Sequence, residues 1–493
     1  MLHPMFQNRS SQKARPDIYV GIPVHLQGIL LGICLLLLGT KNPLLSIGSV
    51  LVFPVLAKLT WRKGEPPVFF FGLAFQWFNM AMVVCRANIL LKQVNDIYGS
   101  ETVRAYWLTL IGILIIAAGI RMTTGKLQAV PGTILSRESD KFSTHKVFLG
   151  YLFFIAVIIL LDKLTDVFWN LRSFFLALSA LKWLLFFILT YIGIKYKKQR
   201  FYFYSIFALE FIQGLGSFFS DFKMPFMILF MVLITLGYRL PIRYLLGLLV
   251  ISLAVLHVGV IWTAVKPGYR DFLNQGTGLQ IVQVDFQSRL AKWYKLYTEL
   301  SGEDYRKSAF TLAARVSVNG SFPIVLKRVP VIIPHANGER MMFALKHVFM
   351  PRILFPHKPV VDDSLITMRY TGSAIGKNTS IGVGYLAESY IDFGVPGMYG
   401  PLFIFGIILG WMHKIVISTA KDKFIGYIMT VIVFMNLWQY ELGWAKMLGD
   451  IAMNFLLMGI ILKFGGRMVK IFYTRSRKFY PGTHSYPLHY PNQ

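Results

Sequence analysis

About a dozen apolar segments fill most of this chain, and a polar, basic stretch from Lys266 to Asp392 interrupts them near the end. An apolar run of about 20 residues is long enough to cross a bilayer as a helix. In lipid, each such segment must satisfy its own backbone hydrogen bonds, which an isolated helix does and an isolated strand cannot. These two facts restrict the fold to an all-α polytopic membrane protein. A long polar loop on one side of such a bundle is where binding or catalysis is expected. Composition agrees: only 15% of residues are charged and the mean hydropathy is +0.54, whereas a soluble domain carries roughly a quarter charged residues.

Lys and Arg total 51 against 23 Asp and Glu, a net charge of +28. In a soluble protein that excess would suggest nucleic acid. Here cytoplasmic loops and anionic lipid headgroups account for much of it. No nucleic-acid motif stands out, so the expected partner is the lipid bilayer and not nucleic acid. Cys34 and Cys85 both fall in apolar segments and the polar stretch has no cysteine. Neither a disulfide framework nor a thiolate metal site is expected. The first apolar run follows a basic tail (Arg9, Lys13, Arg15) with no clear small-residue cleavage site after it. It reads as a retained first helix.

Twelve spans are predicted. The first six run Ile22–Leu38, Leu44–Leu59, Val68–Cys85, Val103–Ile120, Val147–Leu161 and Ser173–Ile194. The second six run Phe201–Phe219, Met224–Leu236, Tyr244–Val265, Val395–His413, Phe424–Trp438 and Lys446–Leu462. The eighth is short enough to be a re-entrant segment. This divides the chain into a cytoplasmic tail (1–21), nine spans (22–265), an extracytoplasmic cap loop (266–393), three spans (394–463) and a cytoplasmic tail (464–493). Charge in the short loops supports the count. With the N-terminus inside, the inner loops hold Arg62, Lys63, Arg121, Lys126, Lys141, Lys195, Lys198, Arg239, Lys414 and Lys423. Most short-loop acids, such as Asp96, Glu101, Asp162, Asp221 and Glu441, fall outside. Omitting one helix breaks this alternation from that point onward. No internal repeat is visible.

Residues 266–392 carry sixteen Lys or Arg and ten Asp or Glu, a net +6. Phe286, Leu290, Trp293, Tyr294, Tyr297 and Leu300 recur at helical spacing, with Arg289, Lys292 and Lys295 largely off that stripe. This predicts an amphipathic helix, on the membrane surface or packed on the rest of the loop. Further short helices are expected over Tyr305–Val316 and Arg340–Val348, with prolines punctuating the rest. Two stretches stand out: Pro351-Arg352-Ile353-Leu354-Phe355-Pro356-His357-Lys358-Pro359, followed by Asp362, Asp363 and Arg369; and Gly382 to Gly394, which contains Glu388-Ser389-Tyr390-Ile391-Asp392-Phe393-Gly394. Cations gathered at a membrane interface suit a phosphate-bearing ligand. The plainer reading is a soluble loop surface.

The order of spans, the large late loop, the proline-bounded Arg-Ile-Leu-Phe-Pro-His-Lys-Pro stretch and the Glu-Ser-Tyr-Ile-Asp-Phe-Gly entry into a helix resemble the Wzy-type oligosaccharide repeat-unit polymerases. Those are bacterial inner-membrane enzymes related in architecture to O-antigen ligases. The architecture covers nearly the whole chain and the motifs cover about residues 350–400. The arginine-x10-glycine pattern of some members has no counterpart in the outer loop.

The resemblance implies transfer of a growing glycan from one polyprenyl diphosphate to the terminal sugar of a second lipid-linked repeat unit. It implies no cofactor and no metal, and it makes the polyprenyl-diphosphate-linked donor and acceptor the substrates. A flippase and a chain-length regulator would be protein partners. The leaving diphosphate needs positive charge, for which Arg289, Arg315, Arg352, Lys358 and Arg369 are the candidates. A general base for the acceptor hydroxyl would come from Glu388, His357 or Asp363, in that order. The competing reading of Glu388 is a local hydrogen bond or salt bridge, and that of His357 a solvated loop residue. Tyr385 and Tyr390 are candidates to stack on sugar rings, although interfacial tyrosines are commonly anchors.

Inside the spans, Lys182 and Glu210 have matching depths and are predicted to pair. Asp450 and Arg86, near the outer ends of their spans, are expected to line a chamber beneath the cap. Gly372-Ser-Ala-Ile-Gly-Lys377 is similar to a phosphate-binding loop, but it is one residue short and lies outside. The rival functions are a lipid-linked oligosaccharide flippase, an O-antigen ligase, a polyprenyl-phosphate-sugar transferase and a structural subunit of an envelope complex.

Overall fold

The structure, a computed structural model, describes residues 24–474 except 129, 168–170, 216–222, 237–241, 278–281, 317–320, 351–353, 356, 360 and 375–381. Every named element is helical, and the described residues hold one isolated β-bridge, Phe142 to Tyr473. In chain order the helices are α1 (Val24–Leu37), α2 (Pro43–Thr60), α3 (Val68–Ile89), α4 (Val94–Tyr98), α5 (Thr102–Thr124), α6 (Gly132–Ser139) and α7 (Thr144–Val167). Then come α8 (Arg172–Ser179), α9 (Lys182–Lys195), α10 (Arg200–Leu215), α11 (Lys223–Thr235) and α12 (Ile242–Leu273). The polar stretch folds as α13 (Phe286–Thr298), α14 (Gly302–Val316), α15 (Phe322–Arg328), α16 (Glu339–Phe349) and α17 (Asp363–Thr371). The chain closes with α18 (Tyr385–Gly397), α19 (Tyr399–Thr419), α20 (Lys423–Val433), α21 (Trp444–Phe464) and α22 (Gly466–Ile471).

Seven described helical segments are long and apolar enough to cross a membrane: Pro43–Thr60, Val68–Ile89, Thr102–Thr124, Thr144–Leu161, Phe174–Lys195, Tyr399–Thr419 and Trp444–Phe464. Each of the twelve predicted segments coincides with a helix or a helix pair, but α1, α11 and α20 are short in their described parts. The sixth segment is α8 followed directly by α9, with Ala180 and Leu181 between them still in the right-handed helical region. The tenth starts later than predicted, because the backbone leaves helical geometry at Gly394 and Val395 before α19 begins.

Contacts at the helix ends draw several of the helices together in two groups. At one end the Asn42 side chain donates to Asn88 Oδ1 (2.9 Å) and to the Lys92 carbonyl (2.9 Å), joining the start of α2 to the end of α3. At the other end Arg62 donates to the Thr124 carbonyl (2.6 Å), Phe424 N to Glu138 (2.8 Å) and Ser143 N to the Phe472 carbonyl (2.8 Å). Those bonds gather the ends of α2, α5 and α6 with the starts of α7 and α20. The closest pairing is α5 against α19. A Cβ on Gly119 or Gly406 would overlap the facing backbone, at Phe403 and Ile116 respectively. Lipid supplies little drive for helix association, so such small-residue contacts carry it through dispersion.

The expected intramembrane pair forms. Lys182 Nζ lies 2.9 Å from Glu210 Oε2, and Tyr151 Oη donates to Glu210 Oε1 at 2.5 Å. The amphipathic helix also forms, as α13. Asp285 caps it through Ser288 N, and it packs on α12 through Trp293 and Leu296 while Tyr294 and Tyr297 stay exposed. At 32 residues and about 1.5 Å rise each, α12 is about 48 Å long. That exceeds a hydrocarbon core of about 30 Å. α14 packs beside it through the Tyr305 contact to His257.

Candidate functional site

The centre of the polar region is α18, whose sequence is apolar on one side and bears Glu388 and Asp392 at i and i+4 on the other. That spacing places both carboxylates on one helix face. Each meets the N-terminus of another helix. Glu388 Oε2 accepts from Trp444 N (2.6 Å), the first residue of α21. Asp392 accepts from Arg340 N (3.0 Å) and Met341 N (2.8 Å), in the first turn of α16. Both helices have glycine at the N-cap, Gly443 and Gly338, which supplies no capping side chain. The α18 acids take that place, where free N–H groups and the helix dipole favour negative charge. Gly443 is required for the close approach: a Cβ there would lie 2.8 Å from Glu388 Oε1.

Arg340 completes the group. Its Nη2 lies 3.3 Å from Glu388 Oε1, and its Nε is buried without a hydrogen-bond partner. Beside this pair, buried Asp363 bonds Lys446 Nζ at 2.6 Å. The group thus holds three carboxylates, Asp363, Glu388 and Asp392, against two cations, Arg340 and Lys446. Burial pushes the Glu388 carboxyl above its ordinary range, opposed by the Arg340 guanidinium and the Trp444 N–H. Burial likewise raises Asp392, opposed by its bonds to the start of α16. Next to the start of α18, a cavity of about 30 Å³ is lined by Gln76, Thr109, Gly384, Tyr440 and Glu441. That volume suits one or two waters, not a sugar.

Of the residues predicted for the site, the structure brings together Glu388 and Asp363. Glu388 makes both a hydrogen bond, from Trp444 N, and a salt bridge, to Arg340. His357 is exposed in the loop after α16, and Lys358 Nζ donates to the His347 carbonyl near the end of α16. Arg369 is exposed on α17, with its guanidinium 5.3 Å from the Tyr370 ring centre. Arg289 is on α13, where its side chain covers Phe286 and reaches the Asp285 carbonyl. It belongs to the α12–α13 cluster, not to the α18 group. Arg352 and the side chain of Arg315 lie outside the described residues, as does Lys377.

Neither tyrosine offers a ring face to a sugar in this structure. Tyr385 is fully buried and donates to Gln76 (2.8 Å), and Tyr390 is buried and donates to the Val329 carbonyl (3.0 Å). Asp450 is exposed and accepts from Asn436 (3.1 Å), while Arg86 reaches the Tyr98 hydroxyl (3.4 Å).

Sequence reasoning missed Arg340, Lys446 and the capping role of Asp392. One signal was present. A cation in the first turn of a helix opposes the dipole, so Arg340 there implies an acidic partner from elsewhere in the chain.

A family model described as a domain of unknown function (DUF8712) matches residues 67–471. The chain belongs to that family. No curated protein and no solved structure matches this DUF8712 chain. The matched region runs from the start of α3 to the end of α22 and contains every residue of the α18 group.

Proposed function

We propose that this DUF8712 protein is a metal-independent glycosyltransferase that polymerises polyprenyl-diphosphate-linked oligosaccharide repeat units on the outer face of a bacterial inner membrane. The reading rests on the resemblance to Wzy-type polymerases. The observation that carries it further is the buried Glu388–Arg340 pair beside Asp363–Lys446 at one end of a membrane bundle. Twelve crossings with both termini cytoplasmic fit the alternation of the helix ends. They also fit the collection of Arg62, Lys63, Arg121, Lys141, Lys195 and Lys423 at the end opposite Glu388, as the positive-inside rule requires.

In this mechanism the donor diphosphate draws Arg340 away from Glu388. The contact it must break is 3.3 Å long, and a dianion offers the guanidinium bidentate hydrogen bonds. Glu388, with its carboxyl already raised by burial, then takes the proton of the acceptor hydroxyl. The hydroxyl oxygen bonds to the anomeric carbon of the donor sugar, the bond from that carbon to the diphosphate oxygen breaks, and polyprenyl diphosphate leaves with the electron pair. Arg340 offsets the charge developing on the leaving group.

The test is deletion of the gene and gel analysis of surface glycan, with complementation by wild type, Glu388→Gln, Asp363→Asn and Arg340→Lys. Loss of long chains with single repeat units retained supports the polymerase. Unchanged glycan in the deletion strain refutes it. Full rescue by Glu388→Gln and Arg340→Lys at normal protein level refutes the site. A flippase is the second reading, favoured by the buried Lys182–Glu210–Tyr151 group, since intramembrane ion pairs mark transport paths. Lipid-linked units trapped on the cytoplasmic leaflet would select it.

A further inference from the structure

Helix α16 comes from the polar loop, yet its surroundings are those of a membrane segment. Among the described residues α16 packs more extensively on α21 than on any other helix, and α21 is long and apolar enough to be a span. The two helices start within about one turn of each other, because Glu388 and Asp392, four residues apart on α18, accept from Trp444 N and from Arg340 N. Extensive packing from a shared start requires α16 to run alongside α21 and not away from it. The chain then returns to the same level, where Asp363, the first residue of α17, bonds Lys446 in the first turn of α21. α16 therefore descends along a span, and Asp363 is back at the level where α16 began.

The outward face of α16 is apolar. Met342 (53% exposed), Leu345 (38%) and Phe349 (78%) lie at i, i+3 and i+7, on one helix face, and Leu354 and Phe355 in the turn are exposed as well. On α21 the exposed Leu456 and Ile460 continue the same kind of surface. Lys346 is the one cation on that face of α16. Helical side chains tilt toward the N-terminus, here back toward the membrane surface, and a lysine is long enough to bring its ammonium to headgroup level. Non-helical backbone at membrane depth survives only where its polar groups are satisfied. Lys358 meets part of that need by donating to the His347 carbonyl near the end of α16.

We infer that α16 (Glu339–Phe349) is a re-entrant helix whose Met342–Leu345–Phe349 face is covered by the acyl chains of one bilayer leaflet. With 11 residues, α16 reaches about 16 Å along α21, roughly half of a hydrocarbon core of about 30 Å. The Glu388–Arg340 pair then sits at the membrane surface, at the headgroup level of a lipid-linked ligand. The inference needs only the membrane fold and stands apart from the glycan reading.

The full chain in vesicles of phosphatidylethanolamine and phosphatidylglycerol tests it. A phospholipid carrying a diazirine in mid-chain is photolysed and the labelled peptides are read by mass spectrometry. Labelling of Leu345–Phe349 comparable to that of Leu456–Ile460, with a water-soluble carbene reagent marking the loop at Lys327 instead, is the expected result. Labelling of Leu345–Phe349 by the water-soluble reagent overturns the inference. So does protection from both reagents, which would mean that a second protein copy covers the face. Spin labels at Met342→Cys and Phe349→Cys, in a Cys34→Ser/Cys85→Ser chain, give a second readout. Accessibility to oxygen over a water-soluble nickel complex is expected to rise from 342 to 349, and the reverse order overturns the inference.

Discussion

Removing the Glu388 carboxylate tests whether the α18 group holds the polar region together. Its side chain is 3% exposed and that of Arg340 is 16%, so water screens the pair little. Taking one partner from a buried pair typically costs about 3–5 kcal/mol, since the other charge is stranded. The 3.3 Å contact and the residual exposure of Arg340 place Glu388→Ala near the lower end, at about 3 kcal/mol. Glu388→Gln keeps the size and an acceptor for Trp444 N, and loses about 1–2 kcal/mol, the difference between a charge-assisted and a neutral hydrogen bond. With Arg340→Leu added, the double variant should cost less than the sum of the singles by about 1–3 kcal/mol.

The pH dependence has a definite sign. A carboxyl raised by burial binds its proton more tightly folded than unfolded, so stability increases as pH falls. The gain is complete below the ordinary glutamate value of about 4.5 and is lost as pH rises through the raised folded value. Unfolding midpoints in detergent between pH 8 and pH 5 would measure it. Wild type should gain on Glu388→Gln as pH falls, because only wild type titrates at this position. Additive single variants, within about 0.5 kcal/mol, together with parallel pH curves, would refute the pairing.

Three further outcomes follow from the same geometry. Asp392→Ala removes the acceptor for two α16 N–H groups and should cost about 1–2 kcal/mol, visible as faster hydrogen exchange at Arg340 and Met341; unchanged exchange there would dismiss the cap. Gly443→Ala drives a Cβ against the Glu388 carboxylate and should cost about 1–3 kcal/mol, a penalty that Glu388→Ala in the same chain should relieve. Glu210→Gln strands Lys182 within the bundle and should lower the thermal midpoint more than Lys182→Met/Glu210→Gln together; equal losses would show the pair to be uncoupled.

Much of the fold was legible because lipid leaves the backbone few choices. The segments predicted at 68–85, 103–120 and 446–462 recur as α3, α5 and α21 within a few residues. The alternation of basic loops named the residues that gather at one end, such as Arg62, Lys141 and Lys195. The pairing of Lys182 with Glu210 followed from depth alone, since two charges in hydrocarbon have little else to meet. The site was far less legible. Tyr385 and Tyr390 look like exposed platforms in a polar loop, but α18 is buried from Tyr385 to Asp392 and turns them inward. His357 and Lys358 share a conspicuous proline-bounded motif with no residue of the α18 group.

The sequence by itself determined that this chain is helical and which of its segments are apolar enough to be spans. Those properties depend on neighbours along the chain, through hydrogen bonds four residues apart and runs of similar side chains. Only the tertiary structure decided that Glu388 and Asp392, one turn apart on α18, cap two helices whose N-caps are glycine. Arg340 lies 48 positions before Glu388 and Trp444 lies 56 after it. No local pattern encodes such a meeting, because it depends on how α16, α18 and α21 pack and on Gly443 leaving room for a carboxylate.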